Sequence, residues 1–534
     1  MRTVRESALD VLRTRGMTTV FGNPGSTELP FLKHFPDDFR YILGLQEAVV
    51  VGMADGYALA SGTTALVNLH TGPGTGNAMG AILNARANRT PMVVTAGQQV
   101  RAMLTMEALL SNPQPTLLPQ PAVKWAYEPP RPTDVPPALA RAVQLAETPP
   151  HGPVFLSLPM DDFDAAVTRA EDQAAQATAA REVEHATAPR PETVRSLADR
   201  LKQARNAVLV VGDDVDSSGA WDAVVRLAER GGLPVWSAPA SARVSFPHTH
   251  PLYRGELPPA IGPLTRALEG HDLVVVIGAQ VFRYYPYVPG PYLPEGTELV
   301  LVTRDLEDAA KAPVGDAVVA DPAATAQALA EHFPAREPAP APDRRVRVPQ
   351  AADGALPPGT ALAAVVEGAP EDTLWVNESP SNVPQFHEAA RISTPGSYLF
   401  SAGGGLGFGA AAAVGAQLGA PDRPVVAVLG DGSVHYAVQA LWTASAYRLP
   451  VTFVVLSNAR YAILQWFAQL EHAQGAPGLD IPGLDIPTVA AGYGVSSCRA
   501  ESAGELTKSV RDATAQREGP VLIDVPVTTE LPSL

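Results

Sequence analysis

The sequence predicts an α/β protein made of three doubly wound parallel-sheet domains, and three observations carry that expectation. Short, continuous apolar runs recur along the chain, separated by stretches of helical periodicity. A strand that is apolar at every position is covered on both faces, as strands are in parallel sheets with helices on either side. Two segments break the pattern and read as extended connectors. Residues 164–192, "DAAVTRAEDQAAQATAAREVEHATAPRPE", are rich in alanine and charge, and residues 334–350, "PAREPAPAPDRRVRVPQ", alternate proline with alanine, acid and base. They cut the 534 residues into thirds of domain size, 1–163, 190–335 and 352–534.

In chain order, the first third holds the strand candidates "TALVNL" (64–69), "PMVVTAG" (91–97) and "PVFLSLP" (153–159). The middle third holds "AVLVVG" (207–212), "DLVVVIG" (272–278) and "ELVLVT" (298–303). The last holds "TLWVNE" (373–378), "PVVAVLG" (424–430), "VTFVVLSN" (451–458) and "PVLIDVP" (520–526). All are short and rich in β-branched residues. In such sheets ligands bind beyond the carboxyl ends of strands, so the residues that follow these runs are the first candidates for chemistry.

Composition narrows the classes. Hydrophobic residues make up 46% and charged residues 18%, the balance of a soluble globular protein. A net charge of −16 argues against nucleic acid or an anionic membrane as a main partner. Cys498 stands alone, which excludes a disulfide framework and a cysteine zinc site. No apolar run reaches the ~18 residues of a membrane span, and the first residues lead into a helical pattern instead of a secretory core, so a cytoplasmic protein is expected. No H-E-x-x-H, G-x-S-x-G or Walker loop is present, leaving hydrolase and P-loop readings without support.

The last third carries the strongest motif. "LGDGS" (429–433) ends an apolar strand and sets Asp431 between two glycines. A helix is expected next, with Val434, Val438, Leu441 and Trp442 on one face, then the strand "VTFVVL", then Asn458. Asp431 and Asn458 thus top two consecutive parallel strands. A carboxylate, an amide oxygen and a nearby backbone carbonyl suit Mg²⁺, with coordination positions left for water and phosphate oxygens. A rival lies upstream in "GGGLGFGAAAAVGAQLG" (403–419), where Gly405, Gly407 and Ala410 satisfy a loose G-x-G-x-x-[GA] pattern and Asp431 could serve as the ribose acid. A nicotinamide site has no use for Asn458 at that place, and close packing through small residues explains the glycines equally well. The metal–diphosphate reading is favoured.

G-D-G followed by an asparagine at the end of the next strand resembles the thiamine-diphosphate motif. The stretch "GDGSVHYAVQALWTASAYRLPVTFVVLSNARYAILQWFAQLEHAQGAPGLDIPG" (430–483) is similar to the benzoylformate decarboxylases, a group of thiamine-diphosphate-dependent 2-oxoacid decarboxylases. So are "TVFGNPGSTELPFLKHFPDDFRYILGLQEAVVVGMADGYA" (19–58), "NLHTGPGTGNAMGA" (68–81) and "LEGHDLVVVIGAQVFRYYPY" (268–287). The resemblance spans essentially the whole chain. It implies the three-domain architecture of that decarboxylase type: an N-terminal pyrimidine-binding domain, a central domain and a C-terminal domain that holds diphosphate and Mg²⁺.

The same resemblance assigns roles. Asp431, Asn458 and the carbonyl of Arg460 would hold Mg²⁺, and Gly430, Gly432 and Ser433 would cradle the diphosphate. Tyr436, Tyr461 and Ser381 join the cofactor's surroundings, and Leu406 matches the bulky residue that wedges under the cofactor and bends it. Glu47 matches the glutamate that hydrogen-bonds the aminopyrimidine and favours the tautomer able to accept the thiazolium C2 proton. Read without the resemblance, Glu47 would be an acid favoured at a helix N-terminus. Ser26 matches a residue placed to bind the substrate carboxylate, although a serine there would otherwise read as an N-cap. His70 matches an active-site histidine that handles protons.

Leu110, Leu464 and Phe467 would form an apolar wall for an aromatic ring. Three departures from the family pattern are Tyr285 in place of a second histidine, and Pro380 and Ile463 in place of smaller or more polar residues; Ile463 is expected to narrow the pocket. The implied activity is non-oxidative decarboxylation of an aromatic, benzoylformate-like 2-oxoacid to the aldehyde and CO₂, with carboligation as a side activity. A carboligase or aldehyde lyase of the same cofactor class is the alternative, and a nicotinamide-dependent oxidoreductase or a non-catalytic binding protein a remoter one. In this family Glu47 of one subunit faces the cofactor held by Asp431 of another, which implies an obligatory dimer, commonly assembled into a homotetramer.

Overall fold

A computed structural model gives the fold, and it describes residues 2–333, 335–337, 340–341 and 355–531. Three six-stranded sheets form, with a small antiparallel pairing of Arg2–Thr3 and Ala166–Val167. Every strand expected from an apolar run is present: Ala65–Leu69, Met92–Gln98, Pro153–Pro159, Ala207–Val211, Leu273–Ile277, Glu298–Thr303, Leu374–Glu378, Val425–Gly430, Val451–Ser457 and Val521–Pro526. The physical basis is clear in the central sheet. Leu209, Val211, Val275 and Val302 enter one core cluster, while the alternating Val208, Val210, Val274 and Leu301 enter another. Both faces are buried, so both phases of the two-residue period are apolar.

The described chain divides into two compact units, residues 2–183, 355–382 and 401–531 in one and residues 184–341 and 383–400 in the other. In the first unit the N-terminal sheet runs Arg40–Leu43, Thr19–Gly22, Ala65–Leu69, Met92–Gln98, Pro153–Pro159, Ala126–Tyr127, parallel throughout. The C-terminal sheet sets Leu374–Glu378, Val425–Gly430, Val451–Ser457, Val521–Pro526 and Ser496–Arg499 side by side, again parallel and in the same relative chain order. Helices Glu47–Ser61 and Phe408–Gly419 pack directly on each other. A Cβ at Gly56 would overlap the backbone of Ala412, and one at Gly415 the backbone of Met53. The small residues of 409–419 are therefore required by a close helix–helix approach.

The second unit's sheet has the order Tyr253–Glu256, Val235–Ser237, Ala207–Val211, Leu273–Ile277, Glu298–Thr303, Asp316–Val319, which is the doubly wound dinucleotide-binding order. Its central crevice, however, carries Asp213, Asp214 and Asp216, paired with Arg283 at 3.0 Å, Arg304 at 3.4 Å and Arg243 at 2.6 Å. Three acids at the helix start oppose a diphosphate there.

Two expectations need correction. Residues 164–192 are not simply extended: Arg169–Ala179 is a helix with a Thr168–Glu171 capping box, and Ala175 and Ala179 are buried in the N-terminal core. The alanines that looked like linker composition form that helix's buried stripe. The single helix expected after Asp431 is two, Asp431–Tyr436 and Ala440–Ala446, broken at Ala437; the second piece packs on Phe408–Gly419. Most of the 334–350 connector lies outside the described residues.

Candidate active site

Glu47 begins the helix Glu47–Ser61, whose first N–H groups are capped by the Gln46 side chain, with Oε1 accepting from Ala48 N at 2.6 Å and Val49 N at 3.1 Å. The Glu47 carboxyl is buried and held by two amides. Asn23 Nδ2 donates to Oε1 at 3.2 Å and Asn77 Nδ2 to Oε2 at 3.0 Å. Asn23 follows the strand Thr19–Gly22 and Asn77 lies on the helix Thr71–Ala87, so three elements converge on one carboxyl group.

His70 sits where the strand Ala65–Leu69 passes into the helix Thr71–Ala87. Its Nδ1 lies 2.9 Å from Oε2 of Glu28 and 3.2 Å from Oγ1 of Thr27. The Glu28 side chain is 0% exposed. Its Oε1 accepts from Gly97 N at 2.9 Å and from the Thr27 hydroxyl at 2.7 Å, and its Oε2 accepts from Gly25 N at 2.8 Å. A carboxylate surrounded by donors can only accept, so the proton between it and His70 belongs to the imidazole Nδ1. That leaves Nε2 as the reactive nitrogen. A Cβ at Gly25 would overlap the ring, so the turn before Ser26 also fixes the histidine from above. Ser26 is exposed in this turn and takes no part in these bonds. It is not an N-cap; Glu28 holds that position before Leu29–Leu32.

The second cluster stands at the ends of Val425–Gly430 and Val451–Ser457, adjacent strands in register at Gly430 and Leu456. Asp431 is buried; Oδ1 accepts from Gly432 N at 2.8 Å, and Oδ2 from Asn458 N at 2.9 Å and Ala459 N at 2.6 Å. Burial pushes its carboxyl above the ordinary value, against the pull of those backbone bonds. Asn458 Oδ1 accepts from Arg460 N at 3.1 Å, and the Arg460 guanidinium turns to Asp480 at 3.4 Å, leaving its carbonyl as the third oxygen. Among the described residues no group of three or more His, Cys, Asp or Glu side chains could hold a metal. One buried carboxylate with two neutral oxygens is too little charge for a self-sufficient cage. It fits Mg²⁺ that arrives with phosphate oxygens.

Around this cluster, the Tyr461 ring lies against Gly432, and burial beside Tyr436 raises its phenol. Tyr436 packs against Gly407, where an added Cβ would stand 3.1 Å from the Tyr436 Cβ, next to the half-buried Leu406, and Ser433 is buried. Helix Ala462–Leu470 buries only Ala462 and leaves Ile463, Leu464, Trp466 and Phe467 at least partly exposed; it packs on the turn Pro380–Asn382, which brings Pro380 and Ser381 to the same place. Leu110 lies apart on the N-terminal domain's loop after Leu104, and Tyr285 is 68% exposed on a loop of the second unit. Among the described residues no hydrogen bond joins the Glu47 group to the Asp431 group.

The glycine pattern that imitates a dinucleotide loop is accounted for by a residue outside the motif. Glu378, 2% exposed at the end of Leu374–Glu378, receives Gly407 N at 2.8 Å and Phe408 N at 2.9 Å on Oε1, and Gly409 N at 3.1 Å on Oε2. The N-terminus that a pyrophosphate would need is occupied by the protein's own carboxyl group. Burial pushes that group up to about 8, with the three N–H bonds acting in the opposite direction. Sequence reasoning also missed Glu28, Asn23 and Asn77. Asn23 follows a strand end, Glu28 lies in a glycine-rich turn and Asn77 in a glycine-rich helix, but the partners are 24 to 42 residues away.

Comparisons with known proteins agree along the chain. Residues 2–115 match the N-terminal TPP binding domain of thiamine pyrophosphate enzymes, 194–329 their central domain and 382–525 their C-terminal TPP binding domain. The benzoylformate decarboxylase of Pseudomonas aeruginosa is 49% identical over 532 residues, 99% of each chain. Among solved structures, the thiamine diphosphate-dependent 4-hydroxybenzoylformate decarboxylase of Rhodococcus jostii RHA1 superposes with a TM-score of 0.96 at 44% identity, over 99% of this chain and 100% of the other. The benzoylformate decarboxylase of Polynucleobacter necessarius gives 0.95 at 43%, over the full length of both.

Proposed function

The chain belongs to the thiamine-diphosphate-dependent 2-oxoacid decarboxylases, and from that membership we propose that its substrate is benzoylformate or a close aromatic relative. The observation that carries this choice is the helix Ala462–Leu470, whose Ile463, Leu464 and Phe467 stay partly exposed beside Pro380 as an uncharged wall suited to an aryl ring. Ile463 and Pro380 make that wall bulkier than the family pattern, which favours unsubstituted or small rings.

Asp431, Asn458 and the Arg460 carbonyl would hold Mg²⁺, with Gly430, Gly432 and Ser433 against the diphosphate, Tyr436, Tyr461 and Ser381 beside it and Leu406 beneath the rings. Thiamine diphosphate, when bound, supplies a nucleophilic carbon for the 2-oxo group and a sink for the electron pair released as the carboxylate leaves as CO₂. Glu47, steadied by Asn23 and Asn77, shares a proton with the aminopyrimidine nitrogen. Ser26 binds the substrate carboxylate. His70 holds and moves a proton at Nε2, because Glu28 retains the one on Nδ1. Replacing CO₂ by that proton at the former 2-oxo carbon yields the aldehyde. Capture of a second aldehyde in place of the proton, which is carboligation, is the side activity this chemistry allows.

Glu47 and Asp431 serve one site from two subunits in this reading, so the working form is a homodimer, assembled as a tetramer, in the cytoplasm, where a lone free Cys498 is at home. Among the described residues no helix is long and apolar enough to cross a membrane. The test is CO₂ release from benzoylformate with and without thiamine diphosphate and Mg²⁺. Turnover that needs both is expected; turnover of aliphatic 2-oxoacids with none of benzoylformate overturns the substrate assignment.

A further inference from the structure

Leu406 is the centre of a short segment whose backbone is pinned on both sides. On the amino side, Ala402 N donates to Asn88 Oδ1 at 2.8 Å. Gly405 N donates to Asn84 Oδ1 at 3.2 Å, and Asn84 Nδ2 donates back to Gly405 O at 2.9 Å. On the carboxyl side, Glu378 takes the N–H groups of Gly407, Phe408 and Gly409. Asn84 sits near the end of the helix Thr71–Ala87, 321 residues from its partner, and is 6% exposed. Its side-chain amide imitates a neighbouring strand, offering a donor and an acceptor to one peptide. Asn88 is fixed in turn by its Nδ2 bond to Asp55 Oδ2 at 2.9 Å, and Asp55 lies on the helix that Glu47 begins.

The glycines on this side serve the same contact. A Cβ at Gly403 would stand 2.6 Å from Asn84 Oδ1, and one at Gly405 2.7 Å from the same atom. Any side chain at either position would displace the asparagine. We infer that Asn84 is a positioning residue for the reaction: it fixes the Gly405 peptide, and through it the height of Leu406 under the cofactor, while Glu378 anchors the following turn. The inference rests on reading Leu406 as the residue that packs beneath the cofactor. A side chain that must hold a reacting group to within a fraction of an ångström needs its own backbone restrained from both directions, and a one-ångström error there costs about a hundredfold in rate.

Asn84→Asp keeps the shape and the acceptor but turns the donor to Gly405 O into a repelling oxygen; Asn84→Ser removes both bonds with less charge. In the cofactor-free protein, hydrogen exchange over 402–409 should speed up about tenfold in both variants, with the thermal midpoint within about 3 °C of wild type. In the loaded enzyme both should lower kcat by about tenfold to a hundredfold and leave KM for benzoylformate within about threefold. Combined with Leu406→Ala, either substitution should cost less than about twofold further, since its effect passes through Leu406. Equal losses with and without Leu406→Ala, or unchanged exchange at 402–409, overturn the role of Asn84. If Leu406→Ala alone alters neither kcat nor thiamine diphosphate affinity, the reading of Leu406 fails, and with it the inference; that outcome is distinct because exchange at 402–409 still responds to Asn84.

Discussion

The N-terminal and C-terminal sheets set five strands in the same order and place buried carboxylates beyond the same edges, yet they offer different chemistry. In the N-terminal domain Glu28 collects N–H groups from Gly25 and Gly97 and then holds an imidazole, His70. In the C-terminal domain Asp431 collects N–H groups from Gly432, Asn458 and Ala459 and, among the described residues, forms no salt bridge. Backbone N–H groups hold the carboxylate in both, from a turn and a strand at Glu28 and from the chain that follows two strands at Asp431. What lies beside the carboxylate separates the roles proposed for them: a histidine suits Glu28 to orienting a proton, and neutral oxygens suit Asp431 to a metal.

The comparison breaks most severely at Asp431. Asp431→Ala should abolish joint binding of Mg²⁺ and thiamine diphosphate, a loss of about 10³-fold or more in affinity, because the proposed charged ligand is gone. Titration calorimetry checks it; an unchanged affinity would overturn the proposed metal role of Asp431. Glu47→Gln should leave cofactor binding nearly intact but slow exchange of the bound thiazolium C2 proton by about 10²–10⁴-fold, since an amide cannot share a proton. Exchange at the wild-type rate by NMR would take Glu47 out of catalysis.

Glu28→Gln sharpens the comparison, because it keeps the fold of the site and alters only what the histidine is held by. The amide no longer demands a proton on Nδ1, so the tautomers of His70 mix, and kcat should fall about 10²-fold with cofactor affinity unchanged. A normal kcat and pH profile would show that His70 needs no orienter. The smallest effect concerns Glu378. Its carboxyl ordinarily titrates at 4.5 and is pushed up to about 8 in the fold. Between those values the unfolded chain has released the proton and the folded chain has kept it, so this group's contribution to stability falls as pH rises. Relative to Glu378→Gln, the cofactor-free protein should lose about 2 kcal/mol between pH 5 and 6.5 in urea unfolding. A difference that stays flat over that range would mean the carboxyl is already ionised in the folded protein.

Much of this was legible in the residues alone. The ten apolar strands followed from burial on both faces, a condition written into each run locally. Asp431 and Asn458 were legible because consecutive parallel strands bring their ends together whatever else the chain does. The helix inside 164–192 was not, because alanine and charge describe a connector and an amphipathic helix equally well until Val4 and Ala8 are there to cover Ala175 and Ala179.

The sequence by itself determined the sheets, their doubly wound order in broad outline and the presence of a metal–diphosphate motif, because each depends on residues close together or on one burial pattern repeated. Tertiary structure alone decided which polar side chains hold the reacting ones. Glu28 and His70 are 42 residues apart, Asn77 and Glu47 are 30, Glu378 and Phe408 are 30, and Asn84 and Gly405 are 321. A single asparagine or glutamate has no periodicity to betray it. Its hydrogen-bond partner exists only after the hydrophobic runs have folded and set distant strand ends side by side.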